Sequence, residues 1–301
     1  MPLDTVKENL RSLSREDERI TEKKLYELSE LSELLYERVR EALEGEEADS
    51  LLHRGNTEDF FCELTENEDL PPEYVAFLKD RKHRSFSAEV AAFSFFLSER
   101  FRAHGEDGFL WREVHTKGAR IAYVPAGKAE RAFFALSELR KEAAVYYASS
   151  AADAVAALLS HQADYAMLPY MAASGEILGG TERLWLQRDL SLSAVITIAE
   201  GEEKLVYALF SVNPSPYITT DSMSLSFIVA ADSYAHLGNI LATFPLFGYH
   251  ETALSAMGEE YGRVRARVTL CGAGDAMALW LYLSLYSAGF SLTGKYPTIE
   301  I

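Results

Sequence analysis

The chain has 301 residues, with 29 Lys and Arg against 46 Asp and Glu and a net charge of −17. That length predicts two or three domains, and 48% hydrophobic with 12% aromatic residues is enough for packed cores, which argues against bulk disorder. The acidic balance argues against a nucleic acid or an anionic membrane as partner, since both need a basic face, and any anionic ligand must find its cations locally.

The first 118 residues hold 17 basic and 28 acidic side chains and no β-branched runs. Leu25, Leu28, Leu31, Leu34, Leu35, Val39 and Leu43 recur at helical spacing and predict a long helix. A short helix is predicted over Thr57–Leu64, capped by Thr57 or Asn56. A third opens at Leu70-Pro71-Pro72, where proline suits the first turn, and runs through Tyr74, Phe77, Leu78, Val90, Phe93, Phe96 and Leu97 to about Phe101. A linker follows over Ala103–Gly118.

Beyond Gly118 the pattern changes. Strands are predicted at Arg120–Val124, Ala144–Tyr147, Tyr165–Leu168, Ser191–Ile198 and Leu205–Phe210, with helices at Ala129–Arg140, Ser150–Ser160 and Thr181–Gln187. That alternation predicts βαβ units and a parallel-rich sheet. After the turn Asn213–Pro216 the predicted order is strand Ser224–Ala230, helix Ser233–Phe244, strands Tyr249–Ala256 and Arg263–Leu270, helix Asp275–Ala288 and strand Phe290–Thr293. That is βαββαβ, a ferredoxin-like split βαβ. The fold class predicted for the chain is α, then α/β, then α+β.

Cys62 and Cys271 form neither a disulfide framework nor a CxxC pair. The N-terminus is charged throughout, and the longest apolar stretch, Ala276–Phe290, is too short to span a membrane. These features predict a cytoplasmic, soluble protein without metal or cofactor.

The domain order and several stretches together resemble the bifunctional P-protein family, which joins chorismate mutase, prephenate dehydratase and an ACT regulatory domain. ARIAYVPAG at 119–127 is similar to the family's first dehydratase strand and turn. HQADYAMLPYMAASG at 161–175 is similar to its Ala-Asp-Tyr, strand, Pro segment, which in the family leads to Glu-Asn-Ser. LSLSAVITI at 190–198 is similar to the strand after it, and GKYP at 294–297 to the end of the ACT domain. The resemblance implies a mutase-like helical domain over 1–103, a dehydratase-like α/β domain over 119–217 and an ACT-like domain over 218–301.

The departures bear on function. The family's GPxGTFS turn is replaced by Val124–Phe133 without its hydroxyls, and Glu-Asn-Ser by Met171-Ala172-Ala173-Ser174. Its Thr-Arg-Phe falls near Leu205-Val206-Tyr207, with neither Thr nor Arg. An apolar pair cannot polarise a leaving hydroxyl or hold a carboxylate. The family's second lobe belongs after Ile198, where only Ala199–Lys204 intervenes; six residues cannot form a lobe, and a cleft needs two walls. Ser174 and Gly175 are what remains there as candidate substrate contacts.

The mutase reaction needs cations on two carboxylates and a donor near an ether oxygen. The resemblance places Ser85 and Glu89 at the family's Ser and Gln/Glu positions, with Arg38 and Arg81 as candidate cations; Arg81, Lys82 and Arg84 can equally form a solvated basic face. In the ACT-like part, His236, Gly238 and His250 stand near the family's ligand runs, and His236 and His250 can equally be surface or capping residues. Two readings stay open: a dimeric binding or regulatory module without dehydratase activity, or an active chorismate mutase with vestigial partners. In either, the ligand is chorismate, prephenate or an aromatic amino acid, and the chain pairs with a second copy.

Overall fold

The computed structural model describes residues 20–44, 76, 87–104, 118–140, 143–171, 176–188, 190–200, 203–212, 215–220 and 222–301. It divides into two compact units: Met1–Leu110 with Phe227–Leu292, and Trp111–Ser226 with Thr293–Ile301. The described helices of the first 110 residues therefore cluster with the C-terminal run rather than standing alone. The expected helix Thr57–Leu64, the opening at Pro71 and most of the linker lie outside the described residues.

In the first unit, α1 (Glu22–Glu44) is amphipathic. It buries Leu25, Leu28, Ser32, Leu35 and Tyr36 and leaves Tyr26 and Leu34 exposed, a single stripe at i, i+3 and i+4. The stripe lies on α2 (Ser87–Ala103). That helix is buried nearly all round, from Ala88 through Phe93 and Leu97 to Phe101, because its other side meets α7 (Ala276–Tyr286). An all-round apolar helix needs cover on every side. Between α2 and α7 come β6 (Met223–Ala231), α6 (Tyr234–Thr243), β7 (His250–Glu260) and β8 (Arg263–Gly272); β9 (Gly289–Tyr296) follows α7. The strand order is β9-β6-β8-β7. The β7 strand is an edge, antiparallel to β8 and exposed along almost its whole length.

In the second unit, β1 (Arg120–Tyr123) pairs in parallel with β2 (Ala144–Tyr147) and β3 (Tyr165–Met171). The connecting helices are α3 (Ala129–Leu139) and α4 (Ala151–Leu159). The Ser150 side chain caps α4 by accepting from the Asp153 amide at 3.1 Å. After α5 (Gly179–Gln187) come β4 (Ser191–Glu200) and β5 (Glu203–Ser211). The expected parallel succession stops at β3. The β5 strand inserts between β3 and β4 and is antiparallel to both, because only Gly201 and Glu202 separate β4 from β5, and a two-residue connection permits only a hairpin. The sheet carries one core on each face. Ala122, Val155, Leu158, Trp185 and Phe210 pack on the α4 side, and Ile121, Phe133, Leu136, Tyr207 and Leu209 on the α3 side.

GKYP, similar to the end of the family's ACT domain, contributes residues 294–296 to the end of β9. Gly294 of β9 pairs with Leu192, and Thr298–Glu300 forms β10 parallel to β4. A Cβ at Gly294 would stand 2.5 Å from the Leu192 Cβ, so only glycine lets the strands approach. Arg263, Arg265 and Arg267 alternate along β8 and differ in surroundings. Arg263 donates to the Ala288 carbonyl at 2.9 Å and Arg265 pairs with Glu260, whereas Arg267 is buried.

Candidate functional site

In the second unit the chain passes from β1 to β2 on one side and then returns across β1 to β3. Where strand order reverses in this way, the carboxyl ends of the strands frame a crevice. Tyr123 ends β1, and the turn Val124–Gly127 leads into α3. Gly127 holds φ +58°, and the Ala126 amide donates to the Val124 carbonyl at 2.8 Å. This sharp turn starts the helix without a side-chain cap: Lys128 stands at the N-cap position. The Ala129 amide reaches Ala126 and the Ala132 amide reaches Lys128. The amides of Glu130 and Arg131 make no bond to any described backbone acceptor, two of the four orphan donors of a helix start.

Tyr207 of β5 lies on the sheet face that α3 covers. Tyr207 pairs across from Pro169 of β3, and its ring is buried in the α3-side core. Burial pushes its phenol above the ordinary value, and the Lys128 charge pulls it back. Tyr123 is pushed up to about 12 by burial, with the Tyr147 and Glu130 charges adding to it. Tyr147 itself is exposed. Leu205 and Val206 pack into the two faces of the sheet. The segment aligned with the family's Thr-Arg-Phe is thus a filled core edge whose one polar atom is the Tyr207 hydroxyl. Sequence reading passed over Lys128 and Tyr207 because the turn was compared with a hydroxyl pattern. Lys128 was legible as the cation nearest the first helix start. Ser174 and Gly175 lie outside the described residues.

Of the helical candidates, Arg81 and Ser85 lie outside the described residues, and Arg38 lies on α1. Glu89 is in the first turn of α2, 3.7 Å from the Lys24 ammonium of α1. Its Oε2 is buried without a hydrogen bond. Burial raises its carboxyl above the ordinary range, Lys24 opposes this and Glu27 adds to it.

His236 is buried, and the backbone occupies both its ring nitrogens. Nδ1 accepts from the Asp232 amide at 3.2 Å, so Nε2 carries the proton and donates to the Tyr286 carbonyl at 2.8 Å. Its ring packs edge-on against Tyr286. Gly238 and His250 are exposed, on α6 and at the start of β7. The structure ties His236 into the core and leaves the other two on the surface.

A shallow groove of about 360 Å³ runs between α4 and α5, with Val155, Leu159, Leu184 and Arg188 in its lining. Among the described residues no group of three His, Cys, Asp or Glu is arranged to hold a metal, and no helix is long and apolar enough to cross a membrane.

No family model matches the chain, and no curated protein matches it. Among solved structures it is similar to prephenate dehydratase from Streptococcus mutans, at 15% identity and TM-score 0.49, over 60% of this chain and 99% of that one. It is also similar to GqqA, described as a novel type of quorum quenching acylase, at 17% identity and TM-score 0.45, over 59% of this chain and 94% of that one. A third is prephenate dehydratase in complex with L-Phe from Arthrobacter aurescens, at 13% identity and TM-score 0.45, over 59% of this chain and 89% of that one. The likeness is one of fold, and it is distant.

Proposed function

We propose that the chain is a divergent relative of the P-protein family that lacks dehydratase activity and acts as a dimeric module binding a small aromatic carboxylate or amino acid. The observation that carries this reading is the β4–β5 hairpin. From Ala194 and Leu209 its strands pair residue by residue up to Glu200 and Glu203, so the chain closes on itself where the family inserts a second lobe. Leu205, Val206 and Tyr207 pack against the two faces of the sheet, and these three residues supply no acid to expel a hydroxyl. In this reading residues 1–103, 119–217 and 218–301 descend from the mutase, dehydratase and ACT parts. The order β6-α6-β7-β8-α7-β9 supports the ACT ancestry. The exposed edge β7 supports pairing with a second copy, and Gly238 and His250 are the surface candidates for a ligand there. The test is the purified chain with prephenate: phenylpyruvate should not form above the uncatalysed rate, and enzymic turnover would overturn the reading.

One observation favours the second reading, an active chorismate mutase carried by Arg38, Arg81, Ser85 and Glu89. Burial raises the Glu89 carboxyl above its ordinary value, the direction that donation to an ether oxygen needs. Loss of chorismate absorbance at micromolar protein, abolished by Glu89→Gln, is the result that would favour it; no decay above background would remove it.

A further inference from the structure

We propose that His236 is a proton switch at the junction of α6, α7 and β8. Neutral, its ring accepts the Asp232 amide and closes the start of α6. Protonated, it releases that amide and takes the Asp232 carboxylate instead. The switch lies wholly within the first unit and requires neither an aromatic ligand nor an activity of the second.

The arrangement begins in the sequence Ser233-Tyr234-Ala235-His236. The Ser233 side chain caps α6 by accepting from the His236 amide at 3.1 Å. In the usual capping box the residue three places after the cap, Glu or Gln, reaches back with an acceptor to an open amide. Here an imidazole does so: Nδ1 accepts from the Asp232 amide at 3.2 Å. A carboxylate accepts throughout the neutral range, whereas Nδ1 accepts only while the ring is neutral. Histidine at this position makes the box depend on one proton.

The neighbours fix what that proton does. Nε2 donates to the carbonyl of Tyr286, the last residue of α7, at 2.8 Å. A helix C-terminus favours a positive ring, so this bond serves both states. The Asp232 carboxylate lies 3.5 Å from Nδ1 and is half-exposed, free to turn and accept the new N–H. The same carboxylate lies 3.9 Å from Nε of Arg263 on β8, and Arg263 Nη1 donates to the Ala288 carbonyl just beyond α7. The strand β6 and the helices α6 and α7 hold no Asp, Glu, Lys or Arg. The charged residues of α2, which also packs on α6, pair elsewhere: Glu89 with Lys24, Glu99 with Arg102 and Arg100 with Glu33. Among the described residues, Asp232 and, through it, Arg263 are therefore the charges that face the ring. Burial and the positive end of α6 oppose the charged ring, and the Asp232 carboxylate and the end of α7 favour it. Protonation moves Asp232 from Arg263 to His236 and opens the first turn of α6, while the bond to α7 persists.

The experiment is a pH titration of the full chain by NMR from about pH 8 to about pH 5, following the His236 ring nitrogens, the Asp232 amide and Arg263 Nε. All three should move with one midpoint. Exchange of the Asp232 amide, corrected for its intrinsic pH dependence, should quicken by about ten-fold or more as the ring protonates. Asp232→Asn removes the carboxylate and should lower the midpoint by at least about half a pH unit, whereas Arg263→Gln frees the carboxylate and should raise it. Both side chains are half-exposed, so both variants should keep the fold. His236→Gln retains an acceptor and should abolish the shared step while keeping the Asp232 amide protected throughout. A ring that titrates without the Asp232 amide would overturn the switch. So would a ring that stays neutral down to about pH 5, or a midpoint unmoved in both Asp232→Asn and Arg263→Gln.

Discussion

The two units bury their helices in opposite ways. In the second unit α3 and α4 are amphipathic: Ala132, Phe133 and Leu136 turn inward on α3, while Glu130, Phe134 and Glu138 stay outside. In the first unit α7 buries every residue from Met277 to Tyr286, and α2 is buried on both sides. A helix without a wet face must satisfy its own polar atoms. Ser94, Ser284 and Ser287 do so by donating to carbonyls one turn back, on Val90, Trp280 and Leu283. Other polar side chains bridge helices. Ser87 meets Tyr282 at 3.1 Å, and Ser98 donates to Asp275 at 2.9 Å. The first unit is therefore held by packing between helices, whereas the second packs amphipathic helices on the two faces of its sheet.

The sharpest way to break this contrast is Phe93→Ala. Phe93 is fully buried, so truncation should cost about 3–5 kcal/mol. In denaturant titrations with amide exchange, protection should fall in α1, α2 and α7. A loss below about 1 kcal/mol would mean that the layer collapses around the gap and is not tightly packed.

Next is Asp275, the N-cap of α7. Its carboxylate accepts from the Ala278 amide at 3.0 Å, from Ser98 and from Arg102 Nη2 at 2.8 Å. Asp275→Ala removes the cap and strands Ser98, and should cost about 1–3 kcal/mol. Arg102 is half-exposed and turns to water, so Arg102→Ala should cost under about 1 kcal/mol. Equal losses for the two variants would show that the ion pair, not the cap, holds α7.

How much of this was legible varies with the physics. Strand and helix order in both units followed from periodicity, and the Ser150 cap from its position before Ala151. The strand order did not. The antiparallel insertion of β5 depends on a two-residue connection, and the sequence interval Ala199–Lys204 concealed it because the strands extend into that interval. The cover over α7 was also hidden: an apolar run states that it is buried, not that α2 buries it. At the candidate site, the lost hydroxyls and carboxylates were plain. Lys128 and Tyr207 were not, since only folding sets the first turn beside β5. The hairpin supplies a small-effect test of this account. Four Gly/Ser residues inserted between Gly201 and Glu202 should cost under about 1 kcal/mol in denaturant titrations. A larger loss would mean that the connection itself is part of the second unit's core.

The smallest effect concerns a second carboxyl that the packed unit partly encloses. Glu89 is held above the ordinary carboxylate range by burial, against the pull of Lys24. A raised value means that the folded chain binds this proton more tightly than the unfolded chain. Between the ordinary carboxylate value, about 4, and the raised folded value, stability should therefore fall as pH rises, and it should be level above that window. Glu89→Gln removes the titration, so the stability difference between variant and wild type should grow in the variant's favour across the same window. Lys24 is partly exposed and loses only a weak pair. Paired denaturant titrations from pH 4 to 7 would measure the difference. If the variant instead lost ground as pH rose, the Lys24 attraction would outweigh burial, and the space between α1 and α2 would be wetter than the packed helices beside it.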